Sequence, residues 1–265
     1  MTTENLPAKS PIDKLKNVMA SKSVQEQFQN ALAENSSLFV ASLIDLYGSD
    51  TYLQKCNPQA VVMEALKAAT LKLPVNKGLG FAWIVPYKDK QGNFIPTFQI
   101  GYRGYIQLAM RTGAYKYINA DVVYEGENKG GDKLTGHLDL SGERTSDKVV
   151  GYFCHFETLN GFKKTAFMTA GDMEKHAKKY SKSYNSSSSP WKTDGEAMGI
   201  KTMLRNTLGK YGVLSVEMLS ALTNDNDERT TEGRLGDALD NEANQGNIID
   251  VEPEKSAEGK TGPNF

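Results

Sequence analysis

The side chains of this sequence that could do chemistry are basic, and several of them recur at helical spacing. Lys178 and Lys182 are four residues apart, and Lys201 and Arg205 repeat that spacing further along the chain. Residues at this spacing share one face of an α-helix. Cations on a shared face bind phosphate oxygens without reading base sequence. The spacing therefore indicates a basic surface for a polyanion, although an ordinary solvated helix face has the same pattern.

Aromatic residues are interleaved with these cations. Tyr184 and Trp191 lie on either side of a Ser-rich stretch, and Tyr102 directly precedes Arg103. Basic grooves with exposed rings hold single strands, because cations neutralise phosphates and ring faces stack on any base. Tyr102 is a candidate platform of this kind, with a position in the core as the equal alternative. No helix-turn-helix, zinc-finger or basic-zipper spacing indicates a sequence-specific reader.

Motifs of several enzyme classes are absent from the sequence. It has no Gly-x4-Gly-Lys-Ser/Thr loop, no His-Glu-x-x-His and no Gly-x-Ser-x-Gly. The two cysteines, Cys56 and Cys154, make neither a disulfide framework nor, alone, a zinc site. Cys154 and His155 fall in a predicted strand and are interpreted as structural. The sequence thus predicts no catalytic residue, no metal and no cofactor.

Charge is distributed unevenly along the chain. Its 265 residues include 31 Lys and Arg and 32 Asp and Glu, for a net charge of −1. Residues 221–265 contain eleven acids and four bases, a net charge of −7, and residues 1–220 carry +6. A basic body permits a polyanionic partner. The acidic segment has too few apolar residues to offset the entropy cost of ordering, so a mostly disordered tail is expected over 224–265.

The elements that must position the basic residues do not alternate strictly between strand and helix. Helical spacing dominates before residue 74, and period-two patterns follow from residue 81. This order predicts an α+β fold with N-terminal helices, central antiparallel β-hairpins packed with helices, and the acidic tail. The expected divisions are an arm with helices over 1–34, a core over 35–223 and a tail over 224–265. Helices are predicted after a capping box at Ser23 and over 37–47, 58–73, 102–111, 170–180 and 191–211, and strands over 81–87, 94–100, 122–124, 149–158 and 162–168.

One stretch of the sequence resembles a known family. Residues 99–113 read QIGYRGYIQLAMRTG and are similar to the signature of the RecT family of phage single-strand annealing proteins. Order and spacing are kept over about residues 35–220. The other matching motifs are Asn57-Pro58, Leu73-Pro74, Val85-Pro86-Tyr87, Pro190-Trp191, Glu196-Ala197-Met198 and Lys201-Thr202-x-x-Arg205.

The resemblance implies an ATP-independent recombinase that coats single-stranded DNA and anneals complementary strands, with no bond-making or bond-breaking chemistry. It also implies assembly into rings or filaments. The implied partners are single-stranded and nascent duplex DNA, further copies of the chain and a phage 5′→3′ exonuclease. The acidic tail is a candidate contact for the exonuclease or for a host single-strand-binding protein. No signal peptide or membrane span is seen, so the expected location is the bacterial cytoplasm.

Two other functions fit the same residues, namely a nucleic-acid coat without annealing activity and a scaffold whose basic face binds an acidic protein. For Arg103 and Arg205, the alternative to phosphate binding is an ion pair with a core carboxylate such as Glu196. Lys88 and Lys90 lie at a hairpin tip that either touches DNA bases or a neighbouring protomer or is a solvated turn. The residues assigned to phosphate binding are Arg103, Arg111, Lys178, Lys182, Lys201 and Arg205, followed by Lys72 and Lys77.

Overall fold

The computed structural model describes residues 10–89, 91–181, 183–187 and 189–225. Helices come first along this part of the chain, and antiparallel strands mixed with helices follow, so the predicted α+β class is confirmed. Within the described residues, no helix is long and apolar enough to cross a membrane. The predicted tail lies outside the described residues apart from its first two positions. The four N-terminal helices are α1 (Pro11–Met19), α2 (Lys22–Leu32), α3 (Ser36–Ser49) and α4 (Pro58–Thr70).

The N-terminal helices follow the local capping chemistry of the sequence. Asn57 Oδ1 accepts a hydrogen bond from the Gln59 backbone N–H at 2.9 Å, so Asn57 is the predicted N-cap of α4. The predicted capping box at Ser23 is wrong, because α2 begins at Lys22 with Ser21 as its N-cap. Helix α1 lies in the region expected to hold an arm with helices, and it begins at Pro11 with the side chain of Ser10 as its cap. Apolar faces of these helices meet in one core.

The central part of the chain contains two β-sheets that matter for the site. Strands β1 (Ala82–Lys88) and β2 (Phe94–Ile100) form the predicted hairpin, and Ala82 pairs with Ile100 at its base. Helix α5 (Tyr102–Arg111) starts directly after β2. The second sheet has the order β3-β6-β7. Its strands are β3 (Tyr115–Tyr124), β6 (Val149–Thr158) and β7 (Lys163–Thr169), and a small separate hairpin consists of β4 (Gly130–Asp132) and β5 (His137–Asp139).

The C-terminal helices differ from the prediction in two ways. The helix expected over 191–211 is divided at Asp194, whose φ of −149° and ψ of 52° are not helical. Helix α9 was not predicted. Helix α8 packs against α5 and the β3-β6-β7 sheet and connects the helical and β parts of the fold. The four helices are α6 (Ala170–Tyr180), α7 (Pro190–Thr193), α8 (Gly195–Tyr211) and α9 (Val216–Asn224).

The residues interpreted as structural occupy structural positions. Cys154 is buried in β6, and burial raises the pKa of its thiol to about 11. His155 Nδ1 lies 2.9 Å from Thr165 Oγ1 across the β6–β7 pair, and burial lowers the pKa of the imidazole. In the ranges that the structure describes, no three His, Cys, Asp or Glu side chains are placed to hold a metal ion.

Candidate nucleic-acid interface

A groove of about 610 Å³ lies beside the base of the β1–β2 hairpin. It is lined by the segment before β1, by the hairpin strands, by the start of α5 and by helices α7 and α8. Four residues that the sequence analysis assigned to DNA binding line this groove: Lys77, Tyr102, Arg103 and Lys201. The groove therefore brings together candidates that are more than 120 positions apart in the sequence.

Two glycines allow the chain segments at this groove to approach closely. The Gly101 N–H donates to the Phe81 carbonyl oxygen at 3.0 Å. A Cβ at Gly101 would overlap the Gly80 carbonyl oxygen, and one at Gly104 would overlap the Phe81 carbonyl oxygen. Any larger residue at either position would push the start of α5 away from β1. The glycines of the family-like signature thus serve backbone packing.

Arg103 presents positive charge at the start of α5. Its side chain is exposed, its guanidinium carbon lies 5.7 Å from the ring centroid of Tyr102, and its Nε donates to the Tyr102 hydroxyl at 3.2 Å. Within the described ranges, Arg103 forms no ion pair, so the alternative of a core ion pair does not apply to it. Tyr102 is half-buried and packs against the core while still lining the groove. The positive end of the α5 dipole adds to the potential at this point.

Lys77 lies on the same groove but already has an anionic neighbour. Its Nζ is 3.4 Å from Asp50 Oδ2, and half of the lysine side chain is exposed. Asp50 neutralises much of the charge that Lys77 would otherwise offer to a phosphate. Lys77 and Arg103 therefore differ in available charge although both line the groove.

Lys201 and Arg205 are buried on α8 rather than displayed on its surface. Lys201 Nζ lies 3.6 Å from Asp225 Oδ2, and Arg205 Nε lies 3.7 Å from the same oxygen. The exposed fractions of the two side chains are 5% and 7%, and that of Asp225 is 0%. For Arg205, the structure thus has the ion-pair alternative, with Asp225 in place of the suggested Glu196. Lys201 belongs to this ion-pair group and also lines the groove.

A second basic cluster adjoins the groove through helix α7. Lys192 Nζ lies 4.4 Å from the ring centroid of Tyr184, and Lys178 Nζ lies 5.9 Å from it. Glu174 pairs with Lys178 at 2.8 Å and accepts the Tyr184 hydroxyl at 3.1 Å, and these contacts lower the pKa of Glu174. Tyr184 is buried, so it is not the exposed stacking platform that the sequence suggested. Pro190 and Thr193 of α7 line the groove.

Arg111 and Lys72 lie away from the groove. Arg111 donates to the Leu71 and Lys72 carbonyl oxygens at 2.8 and 3.0 Å and so caps the C-terminus of α4. Eight residues of helix separate Arg111 from Arg103, about 12 Å along the axis. Lys72, with a φ of 52°, lines a separate cavity of about 680 Å³ between the N-terminal helices and the segment after α4.

Lys88 of the β1–β2 hairpin does not line the groove either. Lys88 is exposed, and its Nζ lies 5.5 Å from the ring centroid of Phe94 on the partner strand. Lys90 and Lys182 lie outside the described residues, so their positions relative to the groove stay predictions.

Two residues of this region were not among the sequence-based candidates. Trp83 lines the groove from β1, and the period-two pattern that placed Trp83 and Val85 on one strand face was the available signal. Asp225 had no comparable signal. It lies two positions beyond the predicted end of the core, at the start of an acidic segment, yet its side chain is fully buried.

Comparison with known proteins supports one family for this fold and groove. The RecT family model matches residues 37–236, which include all the groove residues and Asp225. The chain is 43% identical over 256 residues to "Uncharacterized protein YqaK" of Bacillus subtilis (strain 168), covering 96% of this chain and 85% of that protein. It is 30% identical over 186 residues to "Protein RecT" of Escherichia coli (strain K12), covering 68% and 67%. The resemblance of the signature residues is thereby confirmed, and this chain belongs to the RecT family.

Proposed function

We propose that this protein binds single-stranded DNA along the groove and anneals complementary strands without nucleotide hydrolysis, as a step in recombination. The observation that carries the proposal is the convergence of Lys77, Tyr102, Arg103 and Lys201 on one groove beside Trp83. Membership of the RecT family, which suggests single-strand annealing in recombination, supports the same function.

The arrangement of charge suits annealing, which needs a strand whose backbone is held and whose base edges are accessible. Arg103 offers an exposed guanidinium to phosphate, and phosphate contacts carry no sequence information. The rings of Tyr102 and Trp83 line the same groove and are available to bases of any type. Sequence specificity then comes from base pairing between the two strands, and the protein contributes no bond-making or bond-breaking step.

Further parts of the proposal come from the resemblance to annealing proteins. We expect several protomers to act together on one strand, as a ring or filament, so that the strand stays extended and self-pairing is removed. The proposed partners are a phage 5′→3′ exonuclease that supplies single strands and a host single-strand-binding protein. The proposed location is the bacterial cytoplasm.

An annealing assay tests the proposal directly. Two complementary oligonucleotides, one with a fluorophore and one with a quencher, are mixed with the protein in buffer without any nucleotide. Quenching much faster than in the protein-free reaction is expected, together with no quenching for a non-complementary pair. A protein that binds both oligonucleotides but does not accelerate pairing would instead be a coat, and one that binds neither would point to the scaffold alternative.

A further inference from the structure

Asp225 occupies an unusual place for a residue at the start of an acidic segment. Its carboxylate is fully buried where β2, α5, α8 and α9 meet. Oδ1 accepts the Ile100 backbone N–H at 3.1 Å, and Oδ2 accepts the Tyr105 hydroxyl at 2.6 Å. Lys201 and Arg205 approach Oδ2 at 3.6 and 3.7 Å. One carboxylate therefore joins a strand end, an α5 side chain and two α8 cations.

Two of the four residues that Asp225 contacts belong to the groove lining. Ile100 and Lys201 both line it, and Ile100 is followed directly by Gly101, Tyr102 and Arg103. Tyr105 lies one helical turn after Tyr102 on α5 and is fully buried, so it does not contact a ligand itself. Asp225 thus contacts two elements that line the groove, the end of β2 through Ile100 and α8 through Lys201.

We infer that Asp225 is a positioning residue of the DNA groove, which fixes the start of α5 and the ammonium group of Lys201 relative to each other. This inference rests on the proposed function, because it assigns the groove to DNA. A binding site keeps its affinity only if the groups around it hold its side chains within a fraction of an ångström. The first residue after α9 would then set DNA affinity without touching DNA.

The sign of the effect separates positioning from simple electrostatics. Asp225→Asn makes the protein more positive by one charge, which alone would raise its affinity for DNA. Loss of positioning lowers the affinity, since the amide holds neither the two cations nor both hydrogen bonds as the carboxylate does. We expect a loss of about tenfold, which corresponds to one charge-assisted hydrogen bond.

The experiment measures affinity for a fluorescent oligo-dT by anisotropy, on the full-length chain, at a temperature where circular dichroism shows each variant to be folded. Asp147→Asn, which removes an exposed carboxylate of the same charge, is the charge control. Leu43→Ala, in the core of the N-terminal helices, is the stability control, because it lowers the melting temperature away from the groove. Both controls are expected to bind oligo-dT as tightly as the wild type, or slightly more tightly for Asp147→Asn.

Tyr105→Phe keeps every charge and removes only the hydroxyl that donates to Asp225, so it gives a readout even if Asp225→Asn does not fold. We expect a loss of affinity of about two- to threefold for it, smaller than for Asp225→Asn, because the carboxylate keeps the Ile100 hydrogen bond and both cations. If Asp225→Asn folds and binds oligo-dT as tightly as the wild type, the inference is overturned and the proposed function stays intact. If Asp225→Asn does not fold, wild-type affinity in Tyr105→Phe has the same meaning. A wild-type chain that does not bind oligo-dT would overturn the proposed function itself.

Discussion

Arg103 and Lys77 line one groove but should contribute differently to the salt dependence of DNA binding. On a single strand, each phosphate neutralised by a protein cation releases counterions condensed on the DNA and contributes about −0.7 to the slope of log K against log salt. Arg103 is exposed and has no carboxylate partner among the described residues. Lys77 already lies 3.4 Å from Asp50, which neutralises part of its charge, so Lys77 should displace fewer counterions from DNA. Arg103→Ala should therefore flatten the slope by about 0.7, and Lys77→Ala by clearly less.

The size of the effect can be measured with ordinary titrations. A slope difference of about 0.7 means that the affinity ratio of wild type to Arg103→Ala shrinks about 2.6-fold between roughly 50 and 200 mM salt. The assay is oligo-dT anisotropy at four or five salt concentrations. Lys22→Ala serves as the control, because it removes one exposed lysine from α2, which does not line the groove.

Two results would refute this reasoning. If Arg103→Ala and wild type have the same slope, Arg103 does not neutralise a phosphate. If Lys77→Ala flattens the slope as much as Arg103→Ala does, the Asp50 ion pair does not withhold Lys77 from DNA. Equal flattening by Lys22→Ala would show that the slope reports total charge rather than the groove.

Three further predictions concern stability. In denaturant titrations, Gly199→Ala should lower the free energy of unfolding by about 1–3 kcal/mol, because its Cβ would overlap the Tyr152 ring. Gly195→Ala in the same helix adds a Cβ that meets no atom, so it should raise the free energy of unfolding by roughly 0.5–1 kcal/mol. A chain ending at Glu228 should unfold at the same temperature as the full-length protein. A chain ending at Thr223 should lose about 3–5 kcal/mol of its free energy of unfolding, because it lacks the buried carboxylate of Asp225 that pairs with Lys201 and Arg205. Equal melting temperatures of the two chains would contradict this prediction. Burial raises the pKa of the Cys154 thiol in the folded state from 9.0 to about 11, so its contribution to stability is complete below pH 9 and is lost as the pH rises towards 11. Unfolding titrations of Cys154→Ala should accordingly show a smaller loss of stability over that pH range than wild type, and annealing per folded molecule should be unchanged.

Local signals in the sequence were sufficient for most of the fold. Asn57 before Pro58 predicted the start of α4. Asn160-Gly161 lies between the strands predicted over 149–158 and 162–168, and it is a typical turn signal; in the structure it forms the β6–β7 turn, where Gly161 has a φ of 87°. These features depend on neighbours a few residues away. Where two nearby serines could each precede a helix, the same reasoning was wrong: α2 begins at Lys22 after Ser21, and Ser23 lies within it.

The candidate site was only partly accessible to the same reasoning. Helical spacing put Lys201 and Arg205 on one face of α8, but spacing does not say whether a face meets solvent or another element. Tyr184 was expected to be exposed because it is interleaved with lysines in a Ser-rich stretch, but it is buried, with the ammonium groups of Lys178 and Lys192 near its ring. The chemistry of a side chain is written in the sequence, while its exposure depends on what packs over it.

The sequence by itself determined the order of the elements, the basic and aromatic character of the DNA-binding candidates and the family signature around Gly101 and Gly104. Only the tertiary structure decided that Arg103 has accessible charge, that Arg205 is in the core and that Asp225 belongs to the core. The physical reason is distance along the chain. The contacts of Asp225 with Ile100 and Tyr105 span 125 and 120 residues, and no local pattern can encode which of the eleven acids after residue 220 will be drawn into such a contact.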